Sequence, residues 1–268
     1  MMRRLAGRAL AASALAAFAA AALAQQKSPF ADYQRMAAEN APIELYELAG
    51  EEAWKKRQGP KNVSLEQCDL GQGAGVLKGA YAGLPRYFAD AGRVMDLETR
   101  LLHCMMSLQG RTREEATQRV FGNADKPSEM EVLSAFVAGQ SHGMPLRPGS
   151  GHAKEKASYE MGEKLFFHRA GPWDFSCASC HGEEGKRIRM SGLPVLTKAE
   201  YTRPLMATWP AYRVSTSAFV TLQWRMNDCY RQMRMPEPLF GSDTTVDLIN
   251  YMTMNAQGVV YRGPAIKR

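Results

Sequence analysis

Strand-like segments, clustered basic residues and long apolar runs are all scarce in this sequence of 268 residues. The scarcity of strand signals argues against a β-sheet protein, so we predict a mainly α fold. No basic stripe of the kind that binds nucleic acid is present, which excludes that class of partner. Beyond residue 24 no apolar run is long enough to span a membrane, so we expect no membrane span in the mature chain. Apolar residues make up 45% of the sequence, which is enough to bury an ordinary core.

The most apolar segment lies at the N-terminus, over residues 1–24. It contains Arg3, Arg4 and Arg8, continues as an Ala/Leu stretch, and ends in the small-x-small sequence Ala22-Leu23-Ala24. A membrane anchor is the alternative, but the stretch is short and dominated by alanine. We therefore predict a cleaved signal peptide and a periplasmic protein. Loss of the three arginines would lower the formal net charge from +7 to +4, which favours an anionic substrate or an acidic partner.

Helical periodicity recurs through the remaining sequence. Ser128 and Glu131 have the spacing of a capping box, which predicts the start of one helix. Residues 25–42 form an N-terminal extension, and residues 145–153 are rich in Pro and Gly, which predicts a linker. The predicted helices cover residues 43–57, 96–109, 128–140, 154–168, 215–234 and 243–257.

The segment Cys177-Ala178-Ser179-Cys180-His181 matches C-x-x-C-H, the attachment signature of c-type haem. A thioredoxin-like dithiol would need a βαβ context, and zinc would need a second pair of ligands at metal-binding spacing; the sequence has neither. We therefore predict one covalently attached haem c. Cys177 and Cys180 would bond to the haem, and His181 would be the proximal ligand of its iron.

The two halves of the chain resemble each other, which indicates an internal repeat. The segment that begins Cys68-Asp69 resembles the one that begins Cys180-His181. We predict two cytochrome c-like domains in tandem, residues 43–146 and 151–268, of which only the C-terminal one carries haem. Further matches follow in the same order: Cys104 with Cys229, and Leu133-x-x-Phe136 with Leu248-x-x-Tyr251.

The second axial ligand of the iron has two candidates. Met235 is the usual type of ligand in an electron-carrying cytochrome, but the chain has 16 methionines and most such residues fill core space. Cys229 is a thiolate donor, unless it is an inert buried cysteine. Arg225 precedes Cys229 by one helical turn, so its guanidinium is expected to lower the pKa of the thiol and to bind an oxyanion. A plain surface arginine is the alternative.

Three cysteines remain once the haem motif is set aside: Cys68, Cys104 and Cys229. In an oxidising compartment unmodified cysteines tend to pair. The repeat places Cys68 at an attachment position and Cys104 at a distal-ligand position, so the two would face one pocket. If no haem fills that pocket they can come together, and we predict a Cys68–Cys104 disulfide that leaves Cys229 free. Pairing of Cys229 with either of the others is the rival arrangement.

The motif Cys177-x-x-Cys180-His181, followed by Trp224-Arg225-Met-Asn-Asp-Cys229 in an exported two-domain chain, resembles the SoxA family. SoxA is the larger cytochrome subunit of the SoxAX complex of bacterial thiosulfate oxidation. The resemblance extends over nearly all of the mature chain, and its C-terminal half is the specific part. Some members carry two haems and others one. The absence of a first attachment motif fits the one-haem type.

The resemblance implies an enzyme, an L-cysteine S-thiosulfotransferase. Such an enzyme joins thiosulfate oxidatively to a cysteine of a SoxYZ-type carrier, in a heterodimer with a SoxX-type cytochrome, and the electrons leave through haem. By the same resemblance, Cys229 would be the active cysteine that ligates the iron, and Arg225 would bind substrate. Two other functions remain open: an electron carrier with His181 and Met235 as ligands, and a non-catalytic docking subunit.

Overall fold

The computed structural model describes residues 42–188 and 191–267. The predicted signal peptide and all of the N-terminal extension except Pro42 therefore lie outside the described residues. From Ile43 onward the chain forms one compact unit. Within the described ranges, no helix combines the length and the apolar character that a membrane crossing requires.

Helices carry most of the regular structure in the described part of the chain, as the sequence predicts. A short 3-10 turn at Tyr81–Gly83 adds to them. The α-helices are α1 (Pro42–Lys55), α2 (Leu97–Ser107), α3 (Arg113–Thr117), α4 (Glu129–Gly139), α5 (Ala153–Phe167), α6 (Cys177–His181), α7 (Ala199–Met206), α8 (Leu222–Gln232) and α9 (Asp243–Asn255).

In residues 42–188 and 191–267 the strands are only two or three residues long and form three small sheets. Two of these sheets are antiparallel hairpins, whereas in the third β5 pairs antiparallel with β6 and parallel with β7. The strands are β1 (Arg86–Phe88), β2 (Arg93–Met95), β3 (Arg187–Ile188), β4 (Ser191–Gly192), β5 (Ala211–Arg213), β6 (Ala218–Val220) and β7 (Ala265–Lys267).

Most of the predicted helices begin and end within a few residues of the observed ones. The capping box at α4 is confirmed, because Ser128 accepts from the backbone N–H of Glu131 and Glu131 accepts from that of Ser128. The prediction of a helix over residues 215–234 is wrong at its N-terminal end. Residues 218–220 pair with β5 instead, and the side chain of Thr221 caps α8. Apolar periodicity did not reveal the short helices α3, α6 and α7, which span eight residues or fewer.

Helices α5 and α9 cross at Gly162. A Cβ atom at this position would lie 2.0 Å from the backbone oxygen of Asp247, so only glycine allows the two helices to approach this closely. Aromatic rings fill the space beside the crossing: the centroid of Tyr251 lies 5.3 Å from that of Phe166 and 5.5 Å from that of Tyr159. This crossing fixes the helix that leads into the C-x-x-C-H motif.

Helices α1 and α4 cross in the same manner at Gly50. A Cβ atom here would lie 2.0 Å from the backbone oxygen of Val132. The Trp54 and Phe136 rings pack beside the crossing, with their centroids 6.5 Å apart. The N-terminal half therefore contains a second glycine-centred helix crossing flanked by aromatic rings.

Cys68 and Cys104 form the predicted disulfide, with their Cα atoms 5.7 Å apart. Both residues are buried in a hydrophobic cluster that also contains Leu65, Leu70 and Leu101. The bridge closes a loop with a sequence separation of 36 residues. In the chain-entropy model, such a loop stabilises the folded state by about 4 kcal/mol. Cys229 is left as a free thiol, as predicted.

The start of α8 is anchored to the N-terminal half through Gln223. Its backbone N–H donates to Glu98 Oε2 at 3.1 Å, and its side-chain amide donates to both carboxylate oxygens of Asp96 at 2.9 and 3.0 Å. Its side-chain oxygen accepts from the backbone N–H of Gly241 at 2.8 Å. All of these polar groups are buried, so each bond is made away from competing water. The helix that carries Arg225 and Cys229 is thereby held in place.

Glu98 lines a small cavity with a volume of about 20 Å³, together with Tyr81, Ser134 and Thr221. Glu98 Oε1 and Ser134 Oγ are buried and have no hydrogen-bond partner among the described residues. The cavity is large enough for one water molecule that could satisfy both atoms. Burial raises the pKa of Glu98 well above its ordinary value, and the nearby charge of Asp96 raises it further. The folded protein therefore holds a proton on Glu98 at a pH where the unfolded chain has lost it.

We expect Glu98→Gln to remove part of the pH dependence of stability. Because the pKa is higher in the folded state, the wild type loses stability as the pH rises from about 4.5 towards the folded-state pKa, by up to about 1.4 kcal/mol per pH unit. Glutamine resembles the protonated carboxyl and cannot ionise. In denaturant unfolding at pH 4, 6 and 8, the free energy of unfolding of the variant should increase relative to that of the wild type as the pH rises.

The exposed Glu114 provides a control, since Glu114→Gln on α3 should leave a constant difference across the same pH range. If the free energies of unfolding of Glu98→Gln and the wild type also differed by a constant amount across this pH range, a buried, protonated Glu98 would be contradicted.

Candidate functional site

The C-x-x-C-H motif forms the short helix α6. The hydroxyl of Ser176 accepts from the backbone N–H of Ser179 at 3.2 Å, and the hydroxyl of Ser179 accepts from that of Ser176 at 3.0 Å. The helix ends where the Gly182 backbone N–H donates to the Ala178 oxygen at 2.8 Å. These bonds place the two motif cysteines and the histidine on one turn of helix.

A hydrogen bond to the loop after α6 orients His181. Its Nδ1 atom lies 2.8 Å from the backbone oxygen of Pro194. A carbonyl oxygen can only accept, so Nδ1 carries the proton and Nε2 keeps its lone pair for a metal. Burial lowers the pKa of His181, and the positive charge of Arg225 lowers it further. Both effects favour the neutral imidazole that coordinates iron.

Cys229 influences the pKa of a cysteine in the C-x-x-C-H motif. Burial raises the pKa of the Cys177 thiol to about 12, and Cys229 is the largest charged contributor to that rise. Burial raises the pKa of Tyr230 to about 12, and Cys177 and Cys229 contribute to the rise. Cys177, Cys180 and Cys229 are partly exposed residues that form no disulfide. The fold therefore brings together cysteines that are distant in sequence.

Arg225 is paired with a carboxylate that the sequence analysis did not assign to the site. Its Nη1 atom donates to Asp228, which also accepts from Gln232 Nε2 at 3.0 Å and lies 3.6 Å from Arg231 Nη2. The side chains of Arg225 and Asp228 are each about one fifth exposed, with a relative accessibility of 22%. The arginine is therefore held on the helix surface beside Cys229, with its charge largely compensated.

The predicted lowering of the Cys229 pKa by Arg225 is present but is outweighed. Burial raises the pKa of the Cys229 thiol above its usual value, and Asp228 adds to the rise. Arg225 and Arg213 act in the opposite direction. In the absence of a bound metal the thiol is therefore protonated at neutral pH.

The residues around the motif fit a covalently bound haem. Cys177 and Cys180 supply two thiols, and His181 supplies a nitrogen ligand with its ring already oriented. Apolar side chains that are only partly buried pack against the same hydrophobic cluster as Cys177, as expected for the wall of a pocket for a large apolar macrocycle. These side chains are Leu205, Trp224, Met226 and Tyr230.

Met235 occupies a different local environment from Cys229. Its backbone N–H donates to the Tyr230 oxygen at 3.0 Å, just beyond the end of α8. A Cβ atom on Gly171 would lie 2.8 Å from Met235 Cγ, so the methionine packs closely against the loop that precedes the haem motif.

Sequence reasoning missed several residues that the fold brings to this site. The pairing of Asp228 with Arg225 has a local signal, because the two residues are separated by three positions on one helix. Tyr230 directly follows Cys229 in the sequence. Pro194 and Arg213 carry no such local signal, because their proximity to the site depends on the loop after α6 and on sheet pairing.

The comparisons with known proteins agree with this geometry. A family model described as SoxA/TsdA, cytochrome c domain, matches residues 49–146. L-cysteine S-thiosulfotransferase subunit SoxA from Hydrogenophilus thermoluteolus is 48% identical over 237 residues, which cover 88% of this chain and 86% of that protein. A protein with the same description from Hydrogenobacter thermophilus is 34% identical over 229 residues, covering 85% and 82% respectively.

The fold also matches a solved structure. The crystal structure of SoxXA from P. pantotrophus superposes with a TM-score of 0.70 and covers 88% of this chain and 84% of that chain. The sequence identity is 22%, so this match supports the fold alone.

The helical fold and the C-x-x-C-H helix define a c-type cytochrome. Within that class, the relatives at 48% and 34% identity, each matched over most of its length, show the family. The chain belongs to the SoxA family of L-cysteine S-thiosulfotransferase subunits.

Proposed function

We propose that this chain is the catalytic haem subunit of a periplasmic enzyme that couples thiosulfate to a cysteine of a carrier protein. The observation that carries the proposal is the position of Cys229 beside the motif cysteines, with Arg225 one helical turn away. An electron carrier with His181 and Met235 as ligands is the alternative. Membership of a family of thiosulfotransferase subunits does not favour it.

The coupling reaction forms one sulfur–sulfur bond between the carrier cysteine and the terminal sulfur of thiosulfate. The thiol S–H bond breaks, its proton goes to solvent, and two electrons are released. When bound, a haem c would accept these electrons one at a time, so two one-electron transfers onward to an oxidised cytochrome c complete the reaction. Arg225 binds the sulfonate end of the dianion, and Cys229 faces the sulfur that reacts.

Cys177 and Cys180 would hold the haem covalently, and His181 and Cys229 would be its two axial ligands. His181 is ready for this role because its Nδ1 atom is already bonded to Pro194. If Cys229 ligates the iron, this one residue of α8 would serve both as a haem ligand and as the active cysteine.

We also propose that the N-terminal half is a cytochrome c-like domain without haem, so that the chain carries one haem. Three observations support this. The family model for a cytochrome c domain matches residues 49–146, the helix crossing at Gly50 repeats that at Gly162, and the Cys68–Cys104 disulfide lies within the core of that half. The intact mass of the mature protein should exceed the polypeptide mass by one haem, and two haems would contradict the proposal.

The names of the relatives and of the matched structure support a proposal about the partners. The relatives are named as subunits, and the matched structure is that of a complex called SoxXA, so we propose a SoxX-type cytochrome as the partner. A SoxYZ-type carrier would deliver the cysteine that is modified. The periplasmic location depends on the predicted signal peptide, residues 1–24.

Mass spectrometry of the carrier tests this function. The complex of the mature chain with its partner cytochrome should add thiosulfate to the carrier cysteine when oxidised cytochrome c is present. We expect Arg225→Ala to lower kcat/KM by about 10- to 100-fold, because a charge-assisted contact with the anion is lost, while the haem absorption spectrum is kept. The exposed Arg57, just beyond α1 in the N-terminal half, is a matched control, since Arg57→Ala removes the same charge outside the half that carries the C-x-x-C-H motif. Unchanged kinetics for Arg225→Ala would refute its anion-binding role.

A further inference from the structure

We propose that Gln223 is a positioning residue for the coupling reaction. It fastens both ends of residues 223–241, which we call the α8 segment, to the N-terminal half of the chain, and this segment carries Arg225 and Cys229. The N-terminal half therefore acts as a clamp that holds the reactive sulfur in place. The proposal rests on the function proposed above and assigns a role in it to the N-terminal half.

The first end of the α8 segment is bound through the side-chain amide of Gln223. Its Nε2 atom donates to the two Asp96 carboxylate oxygens at 2.9 and 3.0 Å and lies 3.0 Å from Thr99 Oγ1. Asp96 is itself fixed, because its carboxylate caps α2 by accepting from the backbone N–H of Thr99 at 2.9 Å. Gln223 is only 1% exposed, and hydrogen bonds gain strength where water is excluded.

The other end of the α8 segment is bound around Gly241. Its backbone N–H donates to Gln223 Oε1 at 2.8 Å, so one glutamine side chain contacts both ends. The Gly241 oxygen accepts from Arg93 Nη2 at 3.0 Å, and the neighbouring Phe240 oxygen accepts from Arg113 Nη2 at 2.6 Å. Both arginines belong to the N-terminal half, so the α8 segment begins and ends on that half.

Gln223 lies on the same helix as the two proposed functional side chains. It is in the first turn of α8, two residues before Arg225 and six before Cys229. At a rise of about 1.5 Å per residue, the Cys229 backbone lies about 9 Å further along the helix axis. A shift or rotation of the first turn therefore moves both residues. Because a misplacement of about 1 Å can lower a rate about 100-fold, the bonds that fix this turn matter for catalysis.

The helix itself does not depend on Gln223. The N-terminus of α8 is capped by Thr221, whose hydroxyl accepts from the backbone N–H of Trp224 at 3.2 Å. An unbranched apolar side chain at residue 223 would keep this cap and remove the bonds to Asp96 and Gly241. Loss of Gln223 should therefore release the position of α8 and leave its helical structure intact.

The test compares Gln223→Met with the wild type in the haem-loaded complex with the partner cytochrome. Methionine is also long and unbranched, but it cannot make these polar contacts. We expect kcat for loading of the carrier to fall by about 10- to 100-fold, with the haem content unchanged. The low-spin EPR signal should broaden, because the Cys229 sulfur no longer has one fixed geometry relative to the iron. The backbone amides of α8 should also exchange hydrogen faster.

Gln109→Met is the matched control, because it makes the same substitution at another buried glutamine. Gln109 is fully buried in the N-terminal half, where its side-chain amide donates to the Val63 oxygen at 3.2 Å. The variant loses a contact that lies entirely within that half. It should lower the stability but keep the wild-type kcat, EPR signal and hydrogen exchange of α8.

Two outcomes separate this proposal from the proposed function. If the wild type couples thiosulfate and Gln223→Met keeps the kcat and EPR signal of Gln109→Met, the positioning role alone is overturned. If the wild type does not couple thiosulfate, the proposed function fails and this proposal fails with it.

Gln223→Asn decides the matter if Gln223→Met does not fold. Its amide is one methylene too short to reach both Asp96 and Gly241, but it remains polar in a polar environment. A lower kcat with full haem content would support the positioning role, whereas a wild-type kcat would overturn it.

Discussion

Replacement of Cys229 with Ala is expected to reduce the loading of the carrier with thiosulfate by about 1,000-fold or more. The variant loses the sulfur that we propose both to face the reacting sulfur of thiosulfate and to ligate the haem iron. Losses of this order are typical when a group that touches the reacting atoms is removed from an active site. Turnover should be measured by mass spectrometry of the carrier, with haem content checked by the intact mass of the variant. We expect a variant that carries its full haem content but does not couple thiosulfate.

The haem spectrum gives a second, independent readout of the same variant. Loss of a thiolate ligand should remove the low-spin EPR signature of His/thiolate ligation in Cys229→Ala. Met235→Leu is the matched control, because it removes the rival sulfur ligand with little change in volume. We expect it to leave both EPR and turnover unchanged. The opposite pattern, with EPR altered only by Met235→Leu, would identify the chain as an electron carrier with His/Met ligation.

Gly162→Ala is expected to destabilise the C-terminal half by about 2 kcal/mol and to impair haem incorporation. The new methyl group would lie 2.0 Å from a backbone oxygen of α9, so the two helices must move apart. Overpacking of this kind costs about 1–3 kcal/mol. The nearest atoms here belong to the backbone of Asp247, which cannot rotate away, so we place the cost near the upper end. The higher helix propensity of alanine offsets about 1 kcal/mol of it. Thermal unfolding and the yield of haem-loaded protein provide the measurements.

Substitutions at two other glycines provide the controls for this experiment. Gly50→Ala introduces the same clash in the N-terminal half, so it should cost similar stability but leave the haem spectrum unchanged. Gly151→Ala adds a methyl group with no atom within 4 Å and should be nearly neutral. If Gly162→Ala behaved like Gly151→Ala, the close helix crossing would not be needed for stability. If Gly50→Ala lost as much haem as Gly162→Ala, that result would argue against the location of Gly50 outside the haem pocket.

Local patterns in the sequence were sufficient for the parts of the site that lie within one turn of helix. The C-x-x-C-H motif identified Cys177, Cys180 and His181, and the four-residue spacing identified Arg225 as a neighbour of Cys229. The ion pair between Arg225 and Asp228 has a spacing of the same kind, so it too was accessible to sequence reasoning. These contacts depend on helix geometry, which is nearly independent of the rest of the fold.

Matches between the two halves allowed one long-range contact to be predicted as well. The pairing of Cys68 with Cys104 followed from their positions in the repeat, and the structure contains that disulfide. The division into two domains and the number of haems remain predictions, although the two glycine-centred helix crossings support them.

By itself, the sequence determined the haem-attachment motif, the major helices and the cysteine pairing, because each depends on short spacings or on repeated positions. Only the tertiary structure placed Arg213 near Cys229, gave His181 its bond to Pro194 and anchored α8 through Gln223 to the buried Asp96 and Glu98. The physical reason is that these contacts join elements far apart in the chain. They form only when burial of the apolar core brings those elements together, and no local spacing encodes them.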